Sequence, residues 1–267
     1  MTASYAVYWQ PGCTSCLQAK EFLARHGIEF ESINVRAVPG AFAALAALGA
    51  RSIPVIARGT EWVSGQDLDE LARFLGVELR EQRLPEEELG ARIGQLLAAA
   101  RRHSAQLPDD RLETLLPGRA DRAGIDLACH IPMIVVGFLD AVRGGGLRYE
   151  HFTRRPHGAQ RTRAWMLAFQ DEVRAEWSAW RAQRRGAAAA AAGSGTPLPD
   201  FVETYYGRQT LHGLIERTAW HVAQHCRQLE SLVRTATGGV DGPLGTGELA
   251  GLPLPEGLWD RELGAPS

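Results

Sequence analysis

Cys13 and Cys16 stand two residues apart, directly after a short apolar segment and at the head of a helical pattern, and this pairing constrains the fold most. Ala3 to Trp9 is apolar and aromatic, the signature of a strand. Pro11-Gly12 turns the chain. From Cys16 to His26 the apolar residues recur at helical spacing, and Gly27 stands where a helix C-cap is expected. A thiol attacks only as thiolate, and an unperturbed cysteine supplies few thiolates at neutral pH. Backbone N–H groups and the dipole at a helix N-terminus lower the pKa of a cysteine placed there. Cys13 therefore reads as a nucleophile, and Cys16, one turn inward, as the thiol that attacks a mixed disulfide formed at Cys13.

The same spacing serves as half of many zinc sites. Zinc would need a second pair of ligands nearby, and before residue 80 only His26 is at hand. Two unrelated cysteines are the third reading. The surrounding pattern is that of a small α/β domain over residues 1–80. Residues 28–35 alternate like a second strand, 42–48 read as an alanine-rich helix, 53–57 as a third strand and 61–63 as a fourth. Residues 66–75 read as a closing helix stopped by Gly76.

Three landmarks then follow in order: the cysteine pair after the first strand, Ile53-Pro54-Val55, and Ser64-Gly65-Gln66-Asp67 opening the last helix. On these, residues 4–76 resemble a glutaredoxin or a closely related redoxin with the thioredoxin fold. The resemblance implies that Pro54 is cis and lies against the reactive sulfurs, and that the backbone of Ile53 pairs with a bound thiol peptide. It also implies that Gly65, Gln66 and Asp67 offer helix N-terminal N–H groups to a carboxylate. Gln10 and Thr14-Ser15 stand where glutaredoxins often carry a lysine and a Pro-Tyr, which speaks against glutathione as the natural thiol. Trp9 reads as an aromatic wall of the site, or as a core or surface residue.

The chain has 267 residues, enough for two domains. Its net charge of −2 gives no basic footprint for nucleic acid. No run of eighteen or more apolar residues suggests a membrane span, and the N-terminus lacks the pattern of a secretory signal. Four cysteines, at positions 13, 16, 129 and 226, do not make a disulfide scaffold. They point to a reducing, cytoplasmic setting.

After about residue 80 the character changes. Pro85 followed by Glu86, Glu87 and Glu88 marks a helix start. Helical patterns are expected at about 86–106, 122–143, 158–185 and 207–236, with no convincing strands, which suggests an all-α four-helix bundle. The tract from Gly186 to Pro199 is low in complexity and reads as a loop within that bundle. The tail after Thr237 reads as irregular.

Trp220-His221-Val222-Ala223-Gln224-His225 places two imidazoles on one helical face, close enough to share a metal ion. An ordinary amphipathic helix gives the same spacing. His130 lies among Ile, Met, Val and Phe at the start of the second long helix. There it needs a partner, either a hydrogen bond in a core or a metal. Together these histidines resemble the DinB/YfiT-like superfamily of four-helix bundles, over residues 86–259. The resemblance implies His130, His221 and His225 as ligands of a divalent metal, with thiol transfer among the family's activities. Three imidazoles leave a fourth position open, as in catalytic zinc sites, and could instead hold nickel or iron. His103, His151, His157 and His212 read as surface residues or as neighbours that touch the ligands from behind. Cys129 and Cys226 read as buried small hydrophobes, and Trp165, Phe169, Trp177 and Trp180 as core packing.

Two functions follow. One is a thiol-disulfide oxidoreductase fused to a metal-dependent thiol transferase or hydrolase, acting in low-molecular-weight thiol chemistry or detoxification. Its partners would be a small thiol or a protein disulfide, and tethering would raise the effective concentration of each site near the other. The other is a redox-sensing or binding protein whose histidines hold a structural or regulatory metal. Monomer and homodimer both remain open.

Overall fold

Alternation along the first strand decides the two faces of a four-stranded sheet. In β1 (Tyr5–Trp9) Val7 and Tyr8 point to opposite sides, as successive strand residues must. In the computed structural model, which describes residues 5–79, 83–189, 199–260 and 262, β1 is followed by α1 (Thr14–Arg25) and β2 (Phe30–Asn34). Next come α2 (Ala41–Ala47), β3 (Val55–Arg58), β4 (Glu61–Ser64) and α3 (Leu68–Leu75). The strand order is β2-β1-β3-β4, with β1 parallel to β2 and antiparallel to β3, and β4 antiparallel to β3. On one face Val7, Ile56 and Val63 pack with Ala19, Phe22 and Leu23 of α1 and Leu71 and Ala72 of α3. On the other, Val35 and Val55 pack with Ala41 and Leu45 of α2. Each fully buried Val, Leu, Ile or Phe contributes roughly 1.5–3 kcal/mol by leaving water. The expected α/β elements are all present, with ends shifted by a residue or two.

The chain divides into two compact units. The first comprises Met1–Arg83, Pro117–Arg119 and Pro253–Ser267, and the second Leu84–Leu116 and Ala120–Leu252. These limits differ from the ranges 1–80 and 86–259 read from sequence, chiefly because the segment from Pro253 onward joins the first unit. The reason lies in α1. Lys20, the chain's only lysine, is buried there, and Asp260 supplies the counter-charge at 2.6 Å. The Lys20 ammonium also lies 3.8 Å from the centre of the Trp9 ring. The Glu21 carboxylate accepts hydrogen bonds from the backbone N–H groups of Glu256 and Gly257, and Gln18 donates to the Pro253 carbonyl.

The second unit is mainly helical. It contains α4 (Glu86–Gln106), α5 (Gly124–Asp140), the short α6 (Glu150–Thr153), α7 (Arg163–Ala189), α8 (Leu211–Thr237) and the short α9 (Thr246–Leu249). Of the long helices, α4 and α5 each pack against both α7 and α8. In α4 the stripe Leu89, Ile93, Leu96, Leu97 and Ala100 is buried, the spacing that faces a core. Thr210 caps α8 by accepting from the Gly213 N–H, and Gly238, at φ +78°, ends it. The stretch Gly124–Gly145 is long and apolar enough to cross a membrane by composition, but 89% of its most apolar window is buried inside the protein, as a core helix would be.

Pro132 lies inside α5 and removes one backbone donor, freeing the Ala128 carbonyl four residues earlier. The Gln170 side chain of α7 fills that place, its Nε2 donating to the Ala128 oxygen at 2.8 Å and to Ser104 Oγ at 2.8 Å.

The expectation of no strands beyond residue 80 is overturned by an antiparallel hairpin, β5 (Phe201–Thr204) and β6 (Gly207–Thr210). Its second strand occupies the residues where the fourth long helix was expected to begin. Gly207, at φ +123°, suits a turn rather than a helix, so α8 starts only at Leu211. Within the Gly186–Pro199 tract, α7 runs on to Ala189, and residues 190–198 lie outside the described residues.

Candidate functional site

Cys13 is the N-cap of α1, with extended φ/ψ of −91° and 104°, and its sulfur accepts from the Cys16 N–H at 3.2 Å. Cys13 is partly exposed, Cys16 is fully buried, and the two are joined as a disulfide. A Cβ on Gly12 would lie 2.5 Å from Cδ of Arg119, and Gly12 itself sits at φ +72°, so only glycine fits this turn. Arg119 Nη1 donates to the Pro11 carbonyl at 3.5 Å, and Arg36 Nε donates to Gln10 Oε1 at 3.1 Å. Trp9 is core, 2% exposed.

The Ile53–Pro54 bond is cis. The Gly65 N–H donates to the Pro54 carbonyl at 2.9 Å, and a Cβ on Gly65 would come within 2.8 Å of Pro54 Cγ and 2.7 Å of Ile56 Cδ1. The Ile53 carbonyl accepts from the side chain of Gln66 at 2.8 Å. The N-terminus of α3 is capped from within, for the Asp67 carboxylate accepts from the N–H groups of Asp69 and Glu70 at 2.9 and 3.0 Å. Of the amides expected to meet a ligand's carboxylate, that of Gly65 is taken by the Pro54 carbonyl, and that of Gln66 donates to Ser64 Oγ at 3.3 Å. Burial, with Asp67 second, pushes the Glu70 carboxyl above its usual range.

In the second unit α5 brings His130, and α8 brings His221 and His225, into one buried cluster. One ligand nitrogen from each ring can be chosen so that all lie within 4.8 Å of one another. The Nε2 atoms of His221 and His225 are 3.1 Å apart. Gln228, one turn further along α8, lies 2.7 Å from Nδ1 of His225 through its amide oxygen. With that oxygen as acceptor, Nδ1 carries the proton and Nε2 a lone pair. Nδ1 of His221 is buried without a hydrogen-bond partner. Burial holds the His221 imidazole well below its ordinary value of 6.5, and repulsion from His225, Arg217, His130 and Arg122 adds to this. Neutral imidazoles converging with lone pairs available are the donor set a divalent cation takes. Phe152 packs against His130 and His221, with ring centres 6.0 and 5.7 Å away.

Cys129 and Cys226 are buried free thiols, as expected. Burial pushes the Cys129 thiol up to about 12, and Cys226 higher still. His103 and His151 are not surface residues: both are buried. His103 Nε2 lies 3.1 Å from the Gly242 carbonyl, and His151 Nε2 lies 3.1 Å from Asp140. Trp177 is core, its Nε1 donating to the Gly90 carbonyl at 3.1 Å. Sequence reasoning missed Gln228, although a polar residue one turn after a histidine on a buried helix face was a usable signal. It missed Arg119 and Asp260 too, and nothing local to either pointed to the cysteine unit.

Residues 6–63 match the family model described as glutaredoxin. The Glutaredoxin-like protein NrdH of Salmonella typhimurium (strain LT2) is 36% identical over 71 residues, covering 27% of this chain and 88% of that protein. The protein of the same name from Escherichia coli (strain K12) is 37% identical over 68 residues, covering 26% of this chain and 84% of its own. The crystal structure of a mutant thioredoxin-like protein aligns at 29% identity over 29% of this chain and 100% of that one, with a TM-score of 0.27. Through its first unit, which carries the cysteine pair, the chain belongs to the glutaredoxin family, as a glutaredoxin-like thiol oxidoreductase whose remaining length is largely helical.

Proposed function

We propose that the chain couples a dithiol oxidoreductase to a metal-dependent thiol transferase of the DinB/YfiT-like four-helix type, working on low-molecular-weight thiols in the cytoplasm. In the first unit Cys13 is the nucleophile and Cys16 the resolving thiol. The supporting observation is their contrast in exposure: the sulfur that must meet a substrate is accessible, and the one that attacks next is buried. The Cys13 thiolate attacks a substrate disulfide, forming a mixed disulfide and releasing one thiolate. The Cys16 thiolate then attacks Cys13 Sγ, releasing the second thiolate and leaving the Cys13–Cys16 disulfide. Two electrons pass to the substrate, and an external thiol reductant restores the pair. Ile53, Pro54, Gly65, Gln66 and Asp67 shape the surface on which the substrate lies.

In the second unit His130, His221 and His225 would hold a divalent ion, zinc being the best fit to three imidazoles. Their convergence is the observation that carries this half. Such an ion supplies Lewis acidity that turns a thiol into a nucleophile at neutral pH. Gln228 fixes the tautomer of His225, and Phe152 and Trp220 wall the rings with apolar surface.

Metal content of the purified protein, measured beside His130→Ala, His221→Ala and His225→Ala, tests the second half. Near-stoichiometric metal lost in each variant is expected, and unchanged content in all of them sinks the proposal. Thiol transfer to an electrophile is then assayed with several small thiols. Bound metal without turnover would favour a regulatory metal site instead. For the first half, Cys13→Ser should abolish disulfide reduction, while Cys16→Ser retains only a monothiol reaction. Full activity in Cys13→Ser would overturn the assignment.

A further inference from the structure

The second unit holds a cavity of about 170 Å³ between α5 and α7, and none of the three clustered histidines lines it. Cys129 and Met133, one turn apart on α5, line one side, and Trp165 and Phe169, one turn apart on α7, line the other. Side chains four residues apart share a helical face, so each pair presents one continuous surface. The two aromatic rings stack on each other, with centres 5.3 Å apart and planes 19° apart. Both rings are half-buried, whereas Cys129 and Met133 are buried, so the cavity is apolar at its floor and reaches solvent at the aromatic side. Arg154, Arg155 and Gln160, from the segment that follows α6, supply a polar rim. Arg155 donates to Asp121 Oδ2 at 2.8 Å, which offsets its charge. The Arg154 guanidinium makes no hydrogen bond or ion pair among the described residues. Gln160 accepts from the His157 N–H through Oε1 at 3.2 Å, and its amide N–H groups have no acceptor among the described residues. No carboxylate is among the described residues that line the cavity.

We propose that this cavity binds a small aromatic carboxylate, a single ring whose acid group is held at Arg154 and Gln160. A cavity of roughly 150 Å³ suffices for one benzene molecule, and drug-sized ligands need about 300 Å³ or more. The volume therefore admits one ring and a short substituent. A flat ring suits the space, because it meets the aromatic pair on one side and the Met133 thioether on the other, contacts that π-systems favour. At the rim a carboxylate can take two parallel bonds from a guanidinium, and a charge-assisted bond is about twice as strong as a neutral one. With donors and a cation at the rim and no acid opposite them, the site selects an anion over a neutral or cationic group. Binding needs neither a metal at the histidines nor a free thiol at Cys13, so the inference stands independently of the function proposed above.

Fluorine NMR titration of the full chain tests this with para-fluorobenzoate, the neutral para-fluorobenzamide, the cationic para-fluorobenzylamine and the ringless trifluoroacetate. Wild type should bind the benzoate most tightly and the benzamide more weakly, and should not saturate with the amine or with trifluoroacetate. Added salt should narrow the gap between benzoate and benzamide. Arg154→Gln should weaken the benzoate about fivefold, the effect of one unit charge at close range in a water-like medium, and leave the benzamide unchanged. Arg154→Lys should keep most of the preference. Phe169→Ala should weaken both ring probes alike, and Trp165→Ala supplies the same test should that variant fail to fold. Equal affinity for benzoate and benzamide, or a benzoate affinity unchanged by Arg154→Gln, overturns the assignment to an acid. Ring-probe affinities unchanged in both aromatic variants overturn the location. Benzoate binding lost in His221→Ala but kept in Arg154→Gln would place the acid on the histidine cluster and overturn it too. Saturation by none of the probes overturns the proposal outright.

Discussion

The amide oxygen of Gln228 lies 2.7 Å from Nδ1 of His225, so one polar side chain sets which nitrogen of that ring is left to face His130 and His221. Loss of such an orienting hydrogen bond typically weakens metal binding roughly 10- to 100-fold. On the proposed zinc site, Gln228→Leu should therefore retain the fold but give up added zinc to a chelator at concentrations that wild type withstands. Competition titration with a chromophoric chelator reads this directly. Equal affinity in the two proteins would remove Gln228 from the site.

The link from Gln170 to Ala128 makes a second test. Gln170→Leu would leave the carbonyl freed by Pro132 buried and unbonded, at a cost of roughly 1–3 kcal/mol. The companion variant Pro132→Ala restores the backbone donor, so the double variant should recover part of the loss. Urea denaturation of the four proteins measures the coupling, and strict additivity would count against it.

Lys20 and Asp260 form a buried pair whose side chains are 7% and 6% exposed. Removing Lys20 strands the buried Asp260 carboxylate, and removing Asp260 leaves Lys20 only the exposed Glu262 carboxylate at 3.5 Å. Losing a buried partner typically costs about 3–5 kcal/mol, whereas replacing both by apolar groups is often near neutral. Lys20→Met and Asp260→Leu should each lower the denaturation midpoint sharply, and the double variant much less. Single variants as stable as wild type would show that the pair is not buried in solution.

His103 gives the protein an acid-side weakness. Burial, the largest cause, lowers its pKa below 6.5, although its bond to the Gly242 carbonyl opposes this. The unfolded chain therefore takes up a proton near pH 6.5 that the folded chain resists. The stability from the neutral ring is fully present above that pH and lost as pH falls below it. Between pH 7.5 and 5.5 the urea midpoint of wild type should fall further than that of His103→Gln. Parallel curves for the two proteins would contradict this.

Much of the first unit was legible because its signals are local. Val7, Ile56 and Val63 alternate with Tyr8, Val55 and Trp62, so the strand period reports both faces of the sheet. Gly27 and Gly76 adopt the positive φ that their placement after helical runs implies. The pair His221 and His225 was readable from spacing, and His130 from its apolar surroundings. The hairpin β5–β6 was not, because each strand buries a single residue, Val202 or Gln209, and so carries no alternation. Asp260 was beyond reach for another reason: it meets Lys20 across 240 positions, and a contact made by topology leaves no periodic trace. Of the two readings of His103 and His151, burial removes the surface one, since what covers them comes from elsewhere in the fold or from an irregular loop.

The return of Pro253–Ser267 to the cysteine-bearing unit makes that unit discontinuous along the chain. On the ribosome, Lys20 emerges early and must wait for the whole intervening helical stretch before Asp260 can reach it. A fragment cut at residue 80, the natural choice for expressing the redox part alone, would therefore keep an ammonium group in an apolar setting with its anion missing. A permuted gene that joins residues 253–262 directly to the first eighty would let the oxidoreductase close its own structure without the helical insert.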